Sequence, residues 1–274
     1  MKKVPVLTNE LANRIEQADL DTMQGRLEAC LKREGNPVGV EIRKFGSATA
    51  LYARDIPILD FNKVLNFGPD SVEHLDEMIA FFDEKEMPFG IDVIPSRTSP
   101  ELFAALQERG FYQHGFHTAL YGVPNTERPA NIASNVTVRP MREEELELSD
   151  PVYARALELP PVAMLRLAEN NRGLYESPDW RLYLALVDDT PAGFAWMILR
   201  DGVAAFAMAG TLPEYRGRGV QAALIHQRMV DAAEAGCELV VAQASYGSVS
   251  LRNLQKFGMQ VAYTKSEWKR KENL

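Results

Sequence analysis

A long internal repeat constrains the fold of this chain more than any other sequence feature. When the sequence is shifted by 148 residues, Ile91 to Ile94 falls on Leu239 to Ala242, and Gly110-Phe111 falls on Gly258-Met259, with no gap between them. Few residues are identical, but the boundaries of the expected strands, turns and helices coincide. Self-similarity at a fixed offset indicates that one structural unit occurs twice. The sequence therefore predicts two copies of one fold in tandem.

A segment that is poor in apolar residues separates the two copies. Residues 122–135 contain two prolines and three asparagines and offer little to bury. Such a composition is typical of a linker. We therefore expect a first domain over residues 1–124, a linker over residues 125–135 and a second domain over residues 136–274.

Hydrophobic periodicity predicts the helices. From Leu7 to about Glu34 apolar residues recur at three to five positions, which predicts two helices separated around Asp19 to Asp21. In the second copy a helix is expected over Pro161 to Asn171. A second, amphipathic helix is expected over Val220 to Ala235, directly after an apolar strand at Val203 to Ala209.

Composition and charge exclude several classes of protein. Hydrophobic residues make up 46% of the chain and charged residues 25%, as in a soluble globular protein. We expect a cytoplasmic protein, because no apolar run approaches the length of a bilayer span and the N-terminus lacks the pattern of a signal peptide. A net charge of −8 argues against a nucleic-acid partner. The sequence does not choose between a monomer and a homodimer.

The loop from Leu212 to Gln221, with the sequence LPEYRGRGVQ, has the layout of a phosphate-binding cradle. Its glycines allow the backbone to approach an anion closely, and the helix that follows presents amide groups without intrahelical acceptors at the positive end of its dipole. Arg216 and Arg218 add positive charge at the same place. The alternative is a plain strand–turn–helix corner, in which the glycines serve only the turn.

Two common phosphate loops do not fit this sequence. A Rossmann loop would have a third glycine where this chain has Ala222, and it would stand in the first strand–helix unit. A Walker loop would have Lys-Ser or Lys-Thr where this chain has Val220-Gln221.

The loop resembles motif A of the GNAT N-acetyltransferase superfamily, Arg/Gln-x-x-Gly-x-Gly/Ala. Arg216, Gly219 and Gln221 stand at its three specified positions, although Gln221 departs from the usual small residue. The second half resembles a GNAT domain over about 140 residues, and the first half resembles a degenerate copy. The resemblance implies an α/β (α+β) fold class with two tandem GNAT-like domains. Each would have a mixed, mostly antiparallel sheet flanked by helices.

The resemblance also implies a binding site for acetyl-CoA as cosubstrate, with no metal. The sheet would splay between Val203 to Ala209 and Leu239 to Ala244, and the coenzyme would lie in that splay. Asn253 and Ser250, in a Gly-Ser-x-Ser-x-x-Asn stretch that begins at Gly247, would contact it as well, although helix capping is an equal explanation for Ser248 and Ser250. The remaining implied contacts are made by the backbone. Gly210, Thr211 and Leu212 would pair with the pantetheine, and the pyrophosphate would be held by Arg216, Gly217, Arg218, Gly219, Val220 and Gln221.

The first copy lacks the features of the cradle. At the equivalent positions it has Gly68-Pro69-Asp70-Ser71, with no arginine, a proline that removes an amide donor and an aspartate at the helix N-terminus. We expect Asp70 or Ser71 to cap that helix and the first copy to bind no pyrophosphate.

The sequence lacks the usual catalytic acid of the family that it resembles. Many relatives have a tyrosine four residues before the Gly-Phe pair, but this chain has Leu254 there. Tyr246 is therefore the candidate acid, and Glu176 and Asp179 are candidate bases, with water as an alternative. His114 and His117 are an odd number of residues apart on an expected strand and so face opposite sides, which argues against a metal site. The three tryptophans could line an acceptor pocket or belong to the core.

These observations predict an N-acetyltransferase that uses acetyl-CoA and a small primary amine as acceptor. The second copy would be catalytic, and the first would cover the sheet edge or shape the acceptor pocket. Two alternatives remain open. One is an acyl-CoA-binding sensor or pseudoenzyme, because the usual tyrosine is missing, and the other is a protein or peptide N-acetyltransferase.

Overall fold

The computed structural model describes residues 3–130, 132–157 and 170–271. In these ranges the strands form a single sheet of eleven members. The strands are β1 Val40–Phe45, β2 Ala48–Ala53, β3 Lys63–Leu65, β4 Gly90–Val93, β5 Phe111–Gly122, β6 Val136–Pro140, β7 Trp180–Val187, β8 Thr190–Arg200, β9 Val203–Thr211, β10 Leu239–Ser245 and β11 Gln260–Arg270. The helices are α1 Asn9–Leu31, α2 Leu75–Asp83, α3 Pro100–Glu108, α4 Leu146–Leu157, α5 (helical over residues 170–176), α6 Val220–Glu234 and α7 Val249–Lys256.

The last strands of the two copies are exchanged within the sheet. The strand order is β1-β2-β3-β4-β11-β5-β10-β9-β8-β7-β6. Strand β11 of the second copy therefore lies between β4 and β5 of the first, and β5 lies between β11 and β10. The mixed, mostly antiparallel sheet agrees with the fold expected from the sequence. Its continuity through both copies was not predicted.

The two faces of the sheet are covered by different helices. Side chains of α1 and α4 pack with Trp196, Ala205 and Val241 on one face. Side chains of α6 and α7 pack with Ala204 and Val240 on the other. Because neighbouring strand residues alternate between faces, each of β9 and β10 contributes to both cores.

One long helix, α1, replaces the two helices predicted for the N-terminal segment. The predicted break around Asp19 to Asp21 is wrong, because partners outside the helix satisfy both acidic side chains. Lys265 Nζ lies 2.7 Å from Asp19 Oδ2, and Arg200 Nη1 lies 3.6 Å from Asp21 Oδ1. These ion pairs hold α1 against the sheet and compensate for the weak helix propensity of aspartate.

Most other elements agree with the sequence pattern. The hairpin of β7 and β8 is present, and the Ser99 hydroxyl caps α3 by accepting a hydrogen bond from Leu102 N at 3.2 Å. Most of the helix predicted over Pro161 to Asn171 lies outside the described residues. Among the described helices, none combines the length and hydropathy that a bilayer span requires.

A buried carboxylate, Glu145, fixes the start of the helical segment after β6. Arg139 donates to both of its oxygens at 2.7 and 2.5 Å, and the backbone N–H of Arg142 donates at 2.9 Å. The hydrogen bonds from Arg139 hold the pKa of Glu145 well below its ordinary value. A lowered folded-state pKa stabilises the fold above the unfolded-state value and loses that effect as the pH falls.

We expect the stability advantage of the wild type over Glu145→Gln to depend on pH. At pH 7 the wild type should melt at a higher temperature than the variant. The difference should shrink as the pH falls below about 4.3, where an unfolded glutamate becomes protonated. Thermal melts at pH 7 and pH 3 test this, with Glu144→Gln as the control, since the Glu144 side chain is 68% exposed. An equal difference at both pH values would contradict the assignment.

Candidate active site

The loop between β9 and α6 adopts a conformation that glycine favours at two positions. Gly217 has φ of 79° and Gly219 has φ of 84°, both in the left-handed region. A Cβ atom on Gly217 would meet no heavy atom within 4 Å, so backbone conformation accounts for this glycine. Gly219 is the N-cap residue of α6 and provides no side chain to cap it. The first amides of α6 are therefore left without a side-chain cap.

Several backbone amides converge at this helix N-terminus. The N–H of Ala223 is the first of the helix to reach a carbonyl, that of Gly219, at 2.9 Å. Among the described residues the amides of Gly217, Gly219, Val220, Gln221 and Ala222 donate to no backbone carbonyl. Unpaired amides at the positive end of a helix dipole form a site for an anion. The loop thus has the geometry of the predicted cradle.

The two arginines of the cradle have different surroundings. The Arg216 guanidinium donates to the carbonyls of Thr211 at 3.4 Å and Ala156 at 3.5 Å, and so links the loop to β9 and α4. The Arg218 guanidinium carbon lies 5.4 Å from the centre of the Tyr215 ring. Both side chains are exposed, which leaves them accessible to a phosphate.

The sheet splays open next to the cradle, between the strands that the resemblance implied. Strands β9 and β10 pair in parallel only from Val203/Leu239 to Phe206/Ala242. A bulge at residues 207–208 follows in β9, where Ala207 and Met208 lie opposite the single residue Trp196 of β8. Beyond this point, among the residues that the structure describes, β9 pairs only with β8, and β10 pairs only with β5. A gap that could admit an extended molecule therefore opens between the two strands.

The end of β9 lines this gap. Gly210 and Thr211 pair with Phe194 and Gly193 of β8, and Leu212 N donates to Ala192 O at 2.9 Å. The other edge of this stretch is free of strand partners among the described residues. The buried Thr211 hydroxyl has no hydrogen-bond partner there either. A free strand edge can pair with the amides of an extended ligand, as expected for the pantetheine.

Helix α7 and the loop before it place the other predicted contacts. The Ser248 hydroxyl accepts a hydrogen bond from Leu251 N at 3.1 Å, so Ser248 is the helix cap. Ser250 is exposed and Asn253 is half-buried on the same helix. Tyr246 lies in the loop after β10, with 75% of its surface exposed. The roles of Ser250, Asn253 and Tyr246 stay predictions.

The equivalent region of the first copy has no cradle. A 3₁₀ helix without a side-chain cap begins at Pro69, which has no N–H to donate, and the N–H of Ser71 donates to Gly68 O at 2.9 Å. The expected cap by Asp70 or Ser71 is wrong, because the buried Ser71 hydroxyl instead accepts from Ala48 N at 3.2 Å. Ser71 thus fastens the turn between β1 and β2.

A cavity of about 190 Å³ lies under α1 where β9 and β10 separate. Residues of both copies line this cavity. The sequence suggested that the first copy could shape an acceptor pocket, but it did not identify the residues. Trp180 and Trp196, which could have been core or pocket, are buried and also line the cavity. Its charged and polar lining consists of Asp19, Thr22, Arg26, Asp60, Lys63, His117, Gln243, Lys265 and Glu267.

Buried ion pairs beside the cavity join the two copies. Lys265 of β11 lies 2.7 Å from Asp19 of α1 and 2.9 Å from Asp92 of β4. Lys63 of β3 lies 3.3 Å from the buried Asp92 and 3.2 Å from Asp60, whose side chain is 64% exposed. Although burial opposes both shifts, these contacts lower the pKa of Asp92 and raise the pKa of Lys265. Asp92 and Lys265 are therefore both charged at neutral pH.

His117 and Glu267 form a second polar pair in the cavity. His117 Nδ1 lies 3.6 Å from Glu267 Oε1, and the imidazole is 31% exposed. The interaction with His117 lowers the pKa of Glu267. His114 is exposed and does not line the cavity, consistent with the opposite faces predicted for the two histidines. Within the described ranges no group of three His, Cys, Asp or Glu residues is suited to a metal ion.

The bases suggested by the sequence lie outside the cavity lining. Glu176 Oε2 is 3.5 Å from Arg33 Nε, and Asp179 Oδ2 is 3.0 Å from Arg200 Nη2. Sequence reasoning missed Arg26, His117 and Glu267, because only the exchange of strands and the position of α1 bring them to the splay.

Comparison with known families matches residues 162–242 to the model described as an acetyltransferase (GNAT) domain. A comparison with curated protein sequences finds no match. Among solved structures, a GCN5-related N-acetyltransferase from Kribbella flavida is similar over 96% of each chain, with 17% identity and a TM-score of 0.70.

Two further structures share the fold over nearly the whole length. A GCN5-related N-acetyltransferase from Sphaerobacter thermophilus has 14% identity and a TM-score of 0.60, covering 98% of this chain and 94% of that one. A tandem GNAT protein from the clavulanic acid biosynthesis pathway has 14% identity and a TM-score of 0.59, covering 97% of each. Similarity at this level shows that the chain shares the fold of these proteins over nearly its whole length.

Proposed function

We propose that the second half of this chain, in which residues 162–242 match the model of a GNAT acetyltransferase domain, transfers the acetyl group of acetyl-CoA to a primary amine of a small molecule. The fold and the family match support acyl transfer in general. One observation supports the finer proposal: the unpaired amides at the start of α6 lie beside a splay that opens into the cavity under α1.

The residues present fit acetyl-CoA. The amides of residues 217 and 219–222 would hold the pyrophosphate, with Arg216 and Arg218 adding positive charge. The free edge of Gly210 to Leu212 would pair with the pantetheine, and Asn253 would hydrogen-bond the coenzyme. The coenzyme supplies a thioester, whose carbonyl carbon accepts the amine.

The acceptor amine must lose a proton before it can attack, because an alkylamine has a pKa of about 10. His117 is the candidate base, since its imidazole lines the cavity that the acceptor would enter. Glu267 lies beside Nδ1, which orients the ring and leaves Nε2 to take the proton. The first copy would thus supply the base through the exchanged strand β5.

The remaining steps need an oxyanion site and an acid. A backbone N–H of the bulge at residues 207–208 is suited to stabilise the tetrahedral oxyanion, because β10 leaves this stretch unpaired. Tyr246 stays the predicted acid for the departing thiolate.

A sensor or pseudoenzyme is the second candidate function. Leu254 stands where many relatives have the acidic tyrosine, and its side chain is buried. Acetylation of a protein or peptide is less well supported, because the cavity of about 190 Å³ suits a small acceptor better than an extended chain.

Calorimetric titration with acetyl-CoA, followed by thiol-release assays over a panel of amines, tests this proposal. We expect binding and thiol release with at least one amine. Binding without release for any amine would support the sensor, and an absence of binding would exclude both candidates.

Replacing His117 tests the assignment of the base. We expect His117→Gln to lower kcat by about 10²–10⁴-fold, the range for loss of general base catalysis, and to change the pH dependence of kcat. Binding of acetyl-CoA should be unchanged. His114→Gln, on the same strand but outside the cavity, is the matched control and should retain wild-type kcat. Equal effects of the two substitutions would refute the role of His117.

A further inference from the structure

A buried arginine of the first copy has unused hydrogen-bonding capacity in the cavity. Arg26 of α1 is 6% exposed, and its guanidinium carbon lies 3.7 Å above the centre of the Phe61 ring. Nη2 donates to the carbonyl of Asp60 at 2.8 Å, while Nε is buried without a partner among the described residues. Buried donors are normally paired in native proteins, so an unpaired one that lines a cavity indicates a missing acceptor.

No carboxylate of the described residues lies at ion-pair distance from Arg26. The two lysines that line the cavity differ in this respect, since Lys63 and Lys265 each contact two aspartates. Burial lowers the pKa of Arg26 to about 10, so the guanidinium is still charged at neutral pH. It is therefore a preformed cation with room for an anionic partner.

A second buried polar group lines the cavity together with Arg26. The side-chain oxygen and nitrogen of Gln243, on β10, make no hydrogen bond of regular geometry in the described part of the chain, and the buried Tyr263 hydroxyl, which also lacks one, lies beside this amide. Gln243 is the first residue of β10 beyond the parallel pairing with β9. Its side-chain amide thus lines the cavity at the splay, where it can donate a hydrogen bond to one ligand oxygen.

The charges of the lining also bear on the ligand. Lys63 and Lys265 are matched by Asp19, Asp60 and the buried Asp92, and Glu267 lies beside His117. In the described ranges Arg26 is therefore the one cation of the lining without a carboxylate at ion-pair distance. A carboxylate on the ligand would supply that partner, an amine on the same ligand would face Glu267, and Trp180, Trp196 and Met208 provide apolar surface for its carbon skeleton.

We infer that the acceptor is an amine that also carries a carboxylate, such as an amino acid with an apolar side chain. The Arg26 guanidinium and the Gln243 amide bind the carboxylate, and the amine faces His117 and Glu267. This inference rests on the proposed acetyl transfer, and it assigns substrate recognition to α1 of the copy that lacks a coenzyme cradle.

Matched acceptors test the inference on the wild-type protein. Thiol release is measured with L-leucine, L-methionine and L-phenylalanine and with the corresponding carboxamides, which keep the amine and lose the charge. We expect kcat/KM for at least one acid to exceed that for its carboxamide by 10-fold or more. Equal or better turnover of all the carboxamides would overturn the inference and leave acetyl transfer intact.

Variants assign the preference to Arg26. Arg26→Gln should lower kcat/KM for the preferred acid by about 100-fold and change that for its carboxamide by less than threefold, mainly through KM. Arg26→Lys, which keeps the charge and loses the fork of donors, should lie between them. If Arg26→Gln does not fold, the wild-type comparison and Gln243→Leu, which should also reduce the acid preference, decide the question. An equal loss for acid and carboxamide would overturn the assignment.

Direct binding separates this inference from the proposed function. Calorimetry of the same amino acids and carboxamides with the protein, in the presence of desulfo-CoA, requires no chemistry. Binding of an acid in preference to its carboxamide, without thiol release from acetyl-CoA, would support the ligand class assigned to the cavity and refute the transfer of an acetyl group to that ligand. Thiol release with no preference for acids in binding or turnover would support the transferase and overturn the inference about its acceptor.

Discussion

Gly219→Glu is expected to reduce acetyl-CoA binding by at least about 100-fold. Gly219 is the N-cap of α6 and stands among the amides that we assign to the pyrophosphate. A carboxylate at this position would meet the phosphates at a site built for anions, and like charges at short range cost several kcal/mol. Isothermal titration with acetyl-CoA measures the effect.

The opposite end of the same helix provides a matched control. Gly236 has φ of 73°, close to the 84° of Gly219, so a side chain causes similar backbone strain at either position. A Cβ atom on Gly236 would meet no atom within 4 Å. Gly236→Glu should therefore lose stability to a comparable extent and keep acetyl-CoA affinity within about threefold, well below the 1.4 kcal/mol of a tenfold change. Loss of affinity in both variants would mean that strain, and not the cradle, explains the result.

Lys265→Met is expected to lower the free energy of unfolding by about 3–5 kcal/mol, the usual cost of removing one partner from a buried ion pair. The substitution leaves Asp19 without its 2.7 Å partner and deprives Asp92 of one of its two lysines. Asp19 is on α1, Asp92 on β4 and Lys265 on the exchanged strand β11. The loss should therefore affect both copies in one unfolding transition, measured by urea denaturation.

An exposed ion pair is the control for this prediction. Arg109 contacts Asp76, whose side chain is 72% exposed, at 2.6 Å. Arg109→Met should cost at most about 1 kcal/mol, since exposed pairs contribute little. A loss from Lys265→Met no larger than that of the control would show that the buried network does not hold the two copies together.

The parts of the fold that depend on local sequence could be predicted. The cradle needs glycines at two positive-φ positions and a helix start without a side-chain cap. Gly217 and Gly219 meet the first requirement, and Gly219 as the N-cap of α6 meets the second. The splay partners followed from the resemblance, and the repeat predicted equivalent elements in both halves. Each of these features depends on residues that are close in sequence or on a pattern that the two copies share.

The features that depend on distant residues could not be predicted. Strand β11 shows no sequence signal for pairing with β4 rather than within its own copy, because antiparallel pairing depends on the final arrangement of edges. The same limit applies to Asp19, whose partner Lys265 is 246 residues away in the sequence. This ion pair stabilises α1 at a position where the local helix propensity is weak. Arg26 and His117 reach the cavity only as a result of these two arrangements, so no spacing in the sequence could associate them.

The exchange of β5 and β11 has a consequence for synthesis of the chain on the ribosome. Strand β4 and one edge of β5 acquire their common neighbour only when residues 260–270 have been made. Until then the first half carries unpaired strand edges, which are prone to pair with other chains. The first half therefore cannot complete its part of the sheet before the last strand of the second half is synthesised, and the two copies complete their folding together.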